Sequence, residues 1–143
     1  MQNVKTISPV PSGSEAYLIS KMEKRPILFV SANDREMLKA VECLRFFAPD
    51  REILEFPAWD IMPYDRSSPN PQIVSQRIST MAKLAEGISE QTIILSTVNA
   101  ILQKVPSPEI FQKATLKVDK NGDVSRETIL KFLAKNGYER MSK

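Results

Sequence analysis

The sequence predicts an α/β domain built on a mainly parallel sheet flanked by helices. Two observations carry that reading. Short apolar runs at residues 26–31, 52–56 and 92–96 are of the kind that strands buried on both faces leave in parallel sheets. They alternate with segments of helical apolar spacing, strand then helix three times, the pattern of a layered α/β fold. At 143 residues the chain is long enough to bury a real core in one domain, with part of a second.

Taken in order, Ser12 is read as the N-cap of a first helix, with Glu15 three residues on completing a capping-box pattern. Pro26-Ile-Leu-Phe-Val-Ser is the first strand. Asn33 caps a second helix, again with a glutamate three residues later (Glu36). Met37, Val41, Leu44 and Ala48 share its apolar face, and Pro49 stops it. Glu52-Ile-Leu-Glu-Phe is the second strand. Pro71 suits the first turn of a third helix, on which Val74, Ile78, Met81 and Ala85 form an apolar stripe widened by Ile73 and Leu84, until Gly87 ends it. Thr92-Ile-Ile-Leu-Ser is the third strand, and Thr97 caps a short helix running through Gln103, closed by Pro106 and Pro108.

That proline pair and a shift in charge place a boundary near Lys104, giving an α/β domain over residues 1–103 and the beginning of a small α+β module over 104–143. In the latter, residues 114–118 read as a strand and Asn121-Gly122 as a turn. Ser125 caps a helix with Ile129, Leu130 and Leu133 on one side. Gly137 takes the left-handed position after it, and Tyr138 folds back on the last turn. One strand and one helix bury little alone, so this segment is either docked on the first domain or opens an interrupted second one.

Residues 56–71, Phe-Pro-Ala-Trp-Asp-Ile-Met-Pro-Tyr-Asp-Arg-Ser-Ser-Pro-Asn-Pro, fit neither helix nor strand. They hold four of the ten prolines and the only tryptophan. Phe56, Trp59, Ile61, Met62 and Tyr64 are too apolar for a solvated linker. The expectation is an ordered loop with Trp59 largely buried against the sheet, and long ordered loops are often functional.

Composition excludes several classes. The chain is 42% apolar and 26% charged, as soluble domains are. No apolar run approaches the ~20 residues of a membrane span, and no secretory signal is read at the N-terminus. A single cysteine, Cys43 beside Leu44, is read as a buried thiol in a chain without a disulfide framework, which suits the cytoplasm. The absence of histidine removes Ser-His and Cys-His catalysis and the commonest metal ligand. Net charge is +3, with nine Lys/Arg against five Asp/Glu from Lys104 onward, a modest positive tail that fits an acidic protein partner as well as nucleic acid.

A phosphate loop would need Gly-x-x-x-x-Gly-Lys-(Ser/Thr) ahead of the first helix. The chain offers Ser12-Gly13-Ser14-Glu15-Ala16: Glu15 stands where the lysine belongs and Ala16 replaces the hydroxyl, so the loop is degenerate and a helix cap is the better reading. Asp60 and Asp65 form at most a weak acid/base pair, and turn or cap roles suit them better. Arg77, beside the apolar stripe, is expected to pair with a carboxylate of the loop rather than a phosphate; Arg66 is the other candidate phosphate contact. Phe46, Phe47, Trp59 and Tyr64 lack the interleaved basic residues of a base-stacking surface.

The run from Phe56 through Trp59, Pro63-Tyr64-Asp65 and Ser68-Pro69, the Arg77 helix, the third strand and Val98-Asn99-Ala100-Ile101-Leu102-Gln103 together resemble the N-terminal module of bacterial transcription-repair coupling factor. The resemblance runs from about Pro11 to Arg140. It implies a domain like that of the excinuclease protein UvrB with a degenerate nucleotide loop, no bound cofactor, and an ATP-driven motor in later domains absent from this chain. The implied role is non-catalytic and protein–protein, linking stalled transcription to excision repair. The module beginning near Lys104 would recruit the excinuclease protein UvrA through Arg140 and Tyr138. Further arginines of that surface lie beyond Lys143, so weak binding is expected. DNA and RNA polymerase would be engaged only through the remaining domains. Two alternatives stand beside this reading: a truncated fragment without independent activity, and a nucleotide- or nucleic-acid-binding remnant.

Overall fold

The computed structural model describes residues 4–23, 25–61, 66–118, 122, 124–138 and 141. Its centre is a three-stranded parallel sheet in the order β1-β3-β2, made of β1 (Ile27–Ser31), β2 (Glu52–Phe56) and β3 (Thr92–Thr97). Ile93 lies between Ile27 and Ile53, and Leu95 between Phe29 and Glu55. The helices are α1 (Ser14–Ser20), α2 (Asp34–Phe47), α3 (Pro71–Glu86), α4 (Val98–Ile101), α5 (Pro108–Lys113) and α6 (Arg126–Lys135).

Helices α1 and α2 cover one face of the sheet. Ala16, Ile19, Met37, Val41 and Leu44 meet Ile93 and Leu95 there, with Ile27, Phe29 and Ile53 at the margin. This is the main core, and the helical spacing of α2 is what delivers it. Asn33 caps that helix as its sequence requires, its Oδ1 accepting from the Glu36 amide at 3.0 Å. Among the described residues the opposite face is covered around β2 and the end of β3, where Phe56, Ala58 and Ala100 cluster with Met81 of α3.

The central strand is buried nearly throughout, as its unbroken apolar run predicts. β1 differs from expectation: it is an edge strand whose second face is bare, with Leu28 57% exposed. An apolar run shows that a strand can be buried on both faces, but burial needs a neighbour, and among the described elements none lies over this one.

Three local expectations are corrected. The N-cap of α1 is Gly13, not Ser12. A turn closes from the Ser14 amide to the Pro11 carbonyl with Gly13 at φ 90, a conformation glycine alone adopts without strain. The short helix after Thr97 stops at Ile101; the cap itself holds, Thr97 Oγ1 accepting from the Ala100 amide. Residues 114–118 form no strand. Instead Pro108, rather than closing a helix, opens α5 at its first position, where proline loses no needed hydrogen bond.

Helix α5 docks on α3: Gln112 donates to the Ala85 carbonyl at 2.8 Å and Lys117 pairs with Glu86 at 3.1 Å. Helix α6 follows the sequence closely. Ser125 Oγ accepts from the Thr128 amide, Gly137 sits at φ 81, and the Tyr138 amide returns to the Leu133 carbonyl, a glycine-closed C-terminus. The Asn121-Gly122 turn falls partly outside the described residues.

Leu44 is fully buried, so Leu44→Ala should cost about 2–5 kcal/mol in urea denaturation. Leu38→Ala, on the exposed flank of the same helix, should change stability by less than about 0.5 kcal/mol. Equal losses at both would refute this core. A second expectation concerns acid. Glu52 is held below its ordinary value of 4.5, chiefly by the hydrogen bond from Lys83, with Thr92 adding another. A lowered folded-state value means stability present above the ordinary value and lost as pH falls through the lower one. Glu52→Gln should therefore flatten the acid limb of a stability–pH curve below about pH 5, and an unchanged limb would show that the pair contributes nothing there.

Candidate functional site

The loop leaving β2 is held by one side chain from α3. Arg77 is 4% exposed although it lies on the face expected to be apolar. Arg77 Nη1 donates to the Pro57 carbonyl at 2.5 Å and to Gln103 Oε1 at 3.1 Å. Its guanidinium carbon lies 4.1 Å from the Phe56 ring centre and 4.5 Å from that of Trp59. Gln103 Oε1 also accepts from the Trp59 amide at 3.3 Å. Among the described residues no carboxylate pairs with Arg77, so the expected ion pair is replaced by neutral oxygens and two aromatic faces. Burial pushes the Arg77 group down from its ordinary value.

The stripe on α3 is corrected by the same geometry. The fully buried positions of that helix are Arg77 and Thr80, whose hydroxyl donates to the Glu55 carbonyl, while Ile78 is half exposed. Trp59 is half-buried rather than enclosed; Phe56, Pro57 and Ala58 before it are the buried part of the loop. Asp60 accepts from the Asn70 amide through both carboxylate oxygens at 3.2 Å, a turn role, and Asn70 in turn caps α3. Ser68 and Arg66 are exposed and Pro69 half-buried, whereas Pro63, Tyr64 and Asp65 lie outside the described residues. Gln103 is the residue that sequence reasoning passes over, although it ends the Val98–Gln103 motif and so carries a signal.

At the turn leading into α1, Glu15 Oε2 accepts from the Gly13 amide at 2.8 Å. A backbone donor that could meet a phosphate is thus satisfied by the chain's own carboxylate, and Ser12, Ser14 and Ala16 add no counter-charge. At the other end, Tyr138 leaves α6 67% exposed, and Arg140 lies outside the described residues. Phe46 and Phe47 are exposed and stacked edge to face at 5.0 Å, with Tyr17 adjoining Phe47 at 5.6 Å. Cys43 is half-buried. Among the described residues no cluster of three Cys, Asp or Glu side chains forms a metal site, and no helix is long and apolar enough to cross a membrane.

No family profile matches the chain. Among curated proteins it is similar to the transcription-repair-coupling factor of Rickettsia bellii, 33% identical over 120 residues, which is 84% of this chain and 11% of that relative. The factors of Bacillus subtilis (23% over 116 residues, 81% of this chain and 10% of the relative) and Escherichia coli (24% over 126 residues, 86% and 11%) are more distant matches. The chain thus spans roughly a tenth of the length of the relatives it matches.

Because a lysine cannot reproduce a planar guanidinium stacked between two rings, Arg77→Lys should destabilise the fold by about 1–3 kcal/mol. A double-mutant cycle of Arg77→Ala with Trp59→Ala should show coupling of about 0.5–2 kcal/mol. Additive losses would mean that the stacking seen here contributes no stability.

Proposed function

Taking the chain as a member of the transcription-repair-coupling factor family over the short part of those proteins that it spans, we propose that it is a non-catalytic interaction module of transcription-coupled nucleotide excision repair. Residues 1–103 are the scaffold, an α/β domain whose nucleotide loop is filled by its own Glu15. Residues 104–143 begin the surface that recruits the excinuclease protein UvrA. ATP-driven work, and contact with DNA and RNA polymerase, belong to domains beyond this segment, and the setting is the cytoplasm.

The observation that carries the reading is the exit of α6. The glycine-closed turn at Gly137 ends the helix with Tyr138 exposed, and Arg140 follows two residues later in the sequence. Tyrosine and arginine are the residue types that most often anchor protein interfaces. Helix α6 has no fully buried residue of its own, so Ile129, Phe132 and Leu133 retain apolar surface for a partner. Nucleotide binding is disfavoured by the Glu15 carboxylate standing against the phosphates that the loop would have to attract.

The test is a calorimetric titration against purified UvrA. Binding should be weak, should fall with rising salt as for a charged anchor at a rim, and should drop about tenfold or more in Arg140→Ala and Tyr138→Ala. Tight binding indifferent to both variants would move the surface elsewhere, most directly to the Trp59 loop. In the same instrument ATP should give no saturable heat; micromolar ATP binding abolished at Gly13 would restore the nucleotide reading.

A further inference from the structure

A cleft of about 460 Å³ opens between α3, α5 and α6 and the start of the loop after β2. Its walls are mostly apolar and aromatic, with Trp59, Met81, Phe111, Phe132 and Tyr138 among them. Pockets of this size, apolar but for a few placed polar groups, are where proteins hold small organic ligands. Two of the polar groups here are cations, the buried Arg77 and the exposed Lys104. Among the described residues no carboxylate lines the cleft.

The Arg77 guanidinium is 4% exposed and only partly used. Phe56 and Trp59 lie against it, and Nη1 donates to the Pro57 carbonyl and to Gln103 Oε1. Nε and Nη2 meet no acceptor among the described residues. They are not sealed in either: the unsatisfied side-chain atoms that the structure encloses are Ser31 Oγ and Arg51 Nη1. The Nε–Nη2 edge therefore keeps open surface, and this cleft is the space that Arg77 lines. Two parallel N–H donors match the two oxygens of a carboxylate. A cation withdrawn from water without a counter-charge gains most from an anion that reaches it in the same dry place. The apolar walls decide which anion. A phosphate would leave further charged oxygens against hydrocarbon, whereas a carboxylate spends both of its oxygens on the one edge.

We infer that this cleft binds a small arylalkanoic acid, its carboxylate on the Nε–Nη2 edge of Arg77 and its ring among Trp59, Phe111 and Phe132. Lys104 adds attraction to the same charge. The site stands apart from the recruitment surface, since no partner protein is needed to fill it.

Trp59 is the only tryptophan and lines the cleft, so its emission reports occupancy directly. Titration of the full chain with 4-phenylbutyrate and, separately, with its neutral amide, followed by that emission and by calorimetry, tests the inference. The acid should saturate one site with Kd below about 1 mM, raise the midpoint of thermal unfolding, and bind about tenfold or more tighter than the amide. In Arg77→Lys, which keeps the charge and loses the paired edge, the ratio of acid to amide affinity should fall toward one. No saturable signal up to about 10 mM, where even weak specific binding would register, would overturn the inference. So would equal affinity for acid and amide, the mark of an apolar groove without anion recognition, or an acid preference that Arg77→Lys leaves intact. Acid binding seen only in Asp65→Asn would also overturn it, because a carboxylate of the chain itself, at a position outside the described residues, would then hold that edge. Should Arg77→Lys fail to fold, the comparison of acid with amide in the unaltered chain decides by itself.

Discussion

Among the described residues the buried Arg77 guanidinium meets no carboxylate, and its partners are neutral oxygens and π faces; that constraint organises the side of the sheet beyond β2. Arg77 leaves α3 where an apolar residue would be expected and joins three segments distant in sequence: the loop after β2 at Phe56, Pro57 and Trp59, the helix it belongs to, and Gln103 beyond α4. A hydrocarbon at position 77 could pack on the rings but could not satisfy the Pro57 carbonyl or orient Gln103. The planar, five-donor group does all of these from one buried position. The proline-rich loop can leave the sheet at a fixed angle because its first turn is fastened from behind.

This explains which parts of the fold can be read from the residues alone. β3 announces itself because a central parallel strand is covered on both sides and so carries the apolar run Ile93-Ile94-Leu95, with only small hydroxyl residues beside it. Asn33, Thr97 and Ser125 announce their helices because a cap acts within three residues, and Gly137 because only a left-handed position favours glycine there. These signals are local. Arg77 is illegible for the converse reason: its partners lie 20 and 26 residues away, and nothing at short range distinguishes a cation that will stack from one that will pair. Helix α5 is hidden because Pro106 and Pro108 signal termination and initiation equally, and only docking on α3 decides between them. The exposed face of β1 belongs to the same class, since composition records what a strand can bury and not what is there to cover it.

The Gly13 corner shows how side chains set the electrical character of a loop. The turn still brings a glycine amide to the mouth of the strand, as an anion-binding loop would. One carboxylate placed two residues later accepts that amide, and Glu36 and Glu42 on the facing helix deepen the negative field. The backbone geometry is compatible with either sign of ligand; the side chains choose. A parallel α/β sheet with a glycine turn beside it is therefore by itself no argument for nucleotide binding.

The distribution of burial divides the chain into a tightly packed part and a loosely held one. Every fully buried apolar side chain among the described residues falls between Ala16 and Ala100, while α5 and α6 contribute none. Among the described residues, the segment around α5 meets α3 through the Gln112 side chain on the Ala85 carbonyl and the Lys117–Glu86 ion pair. Such a segment opens at a lower free energy than the sheet does, because few apolar contacts must be broken to release it. A surface of this kind can adjust to a partner without disturbing the core that carries it. Residues 16–100 thus hold the fully buried apolar core, and the described residues beyond Lys104 can change their contacts at little cost to it.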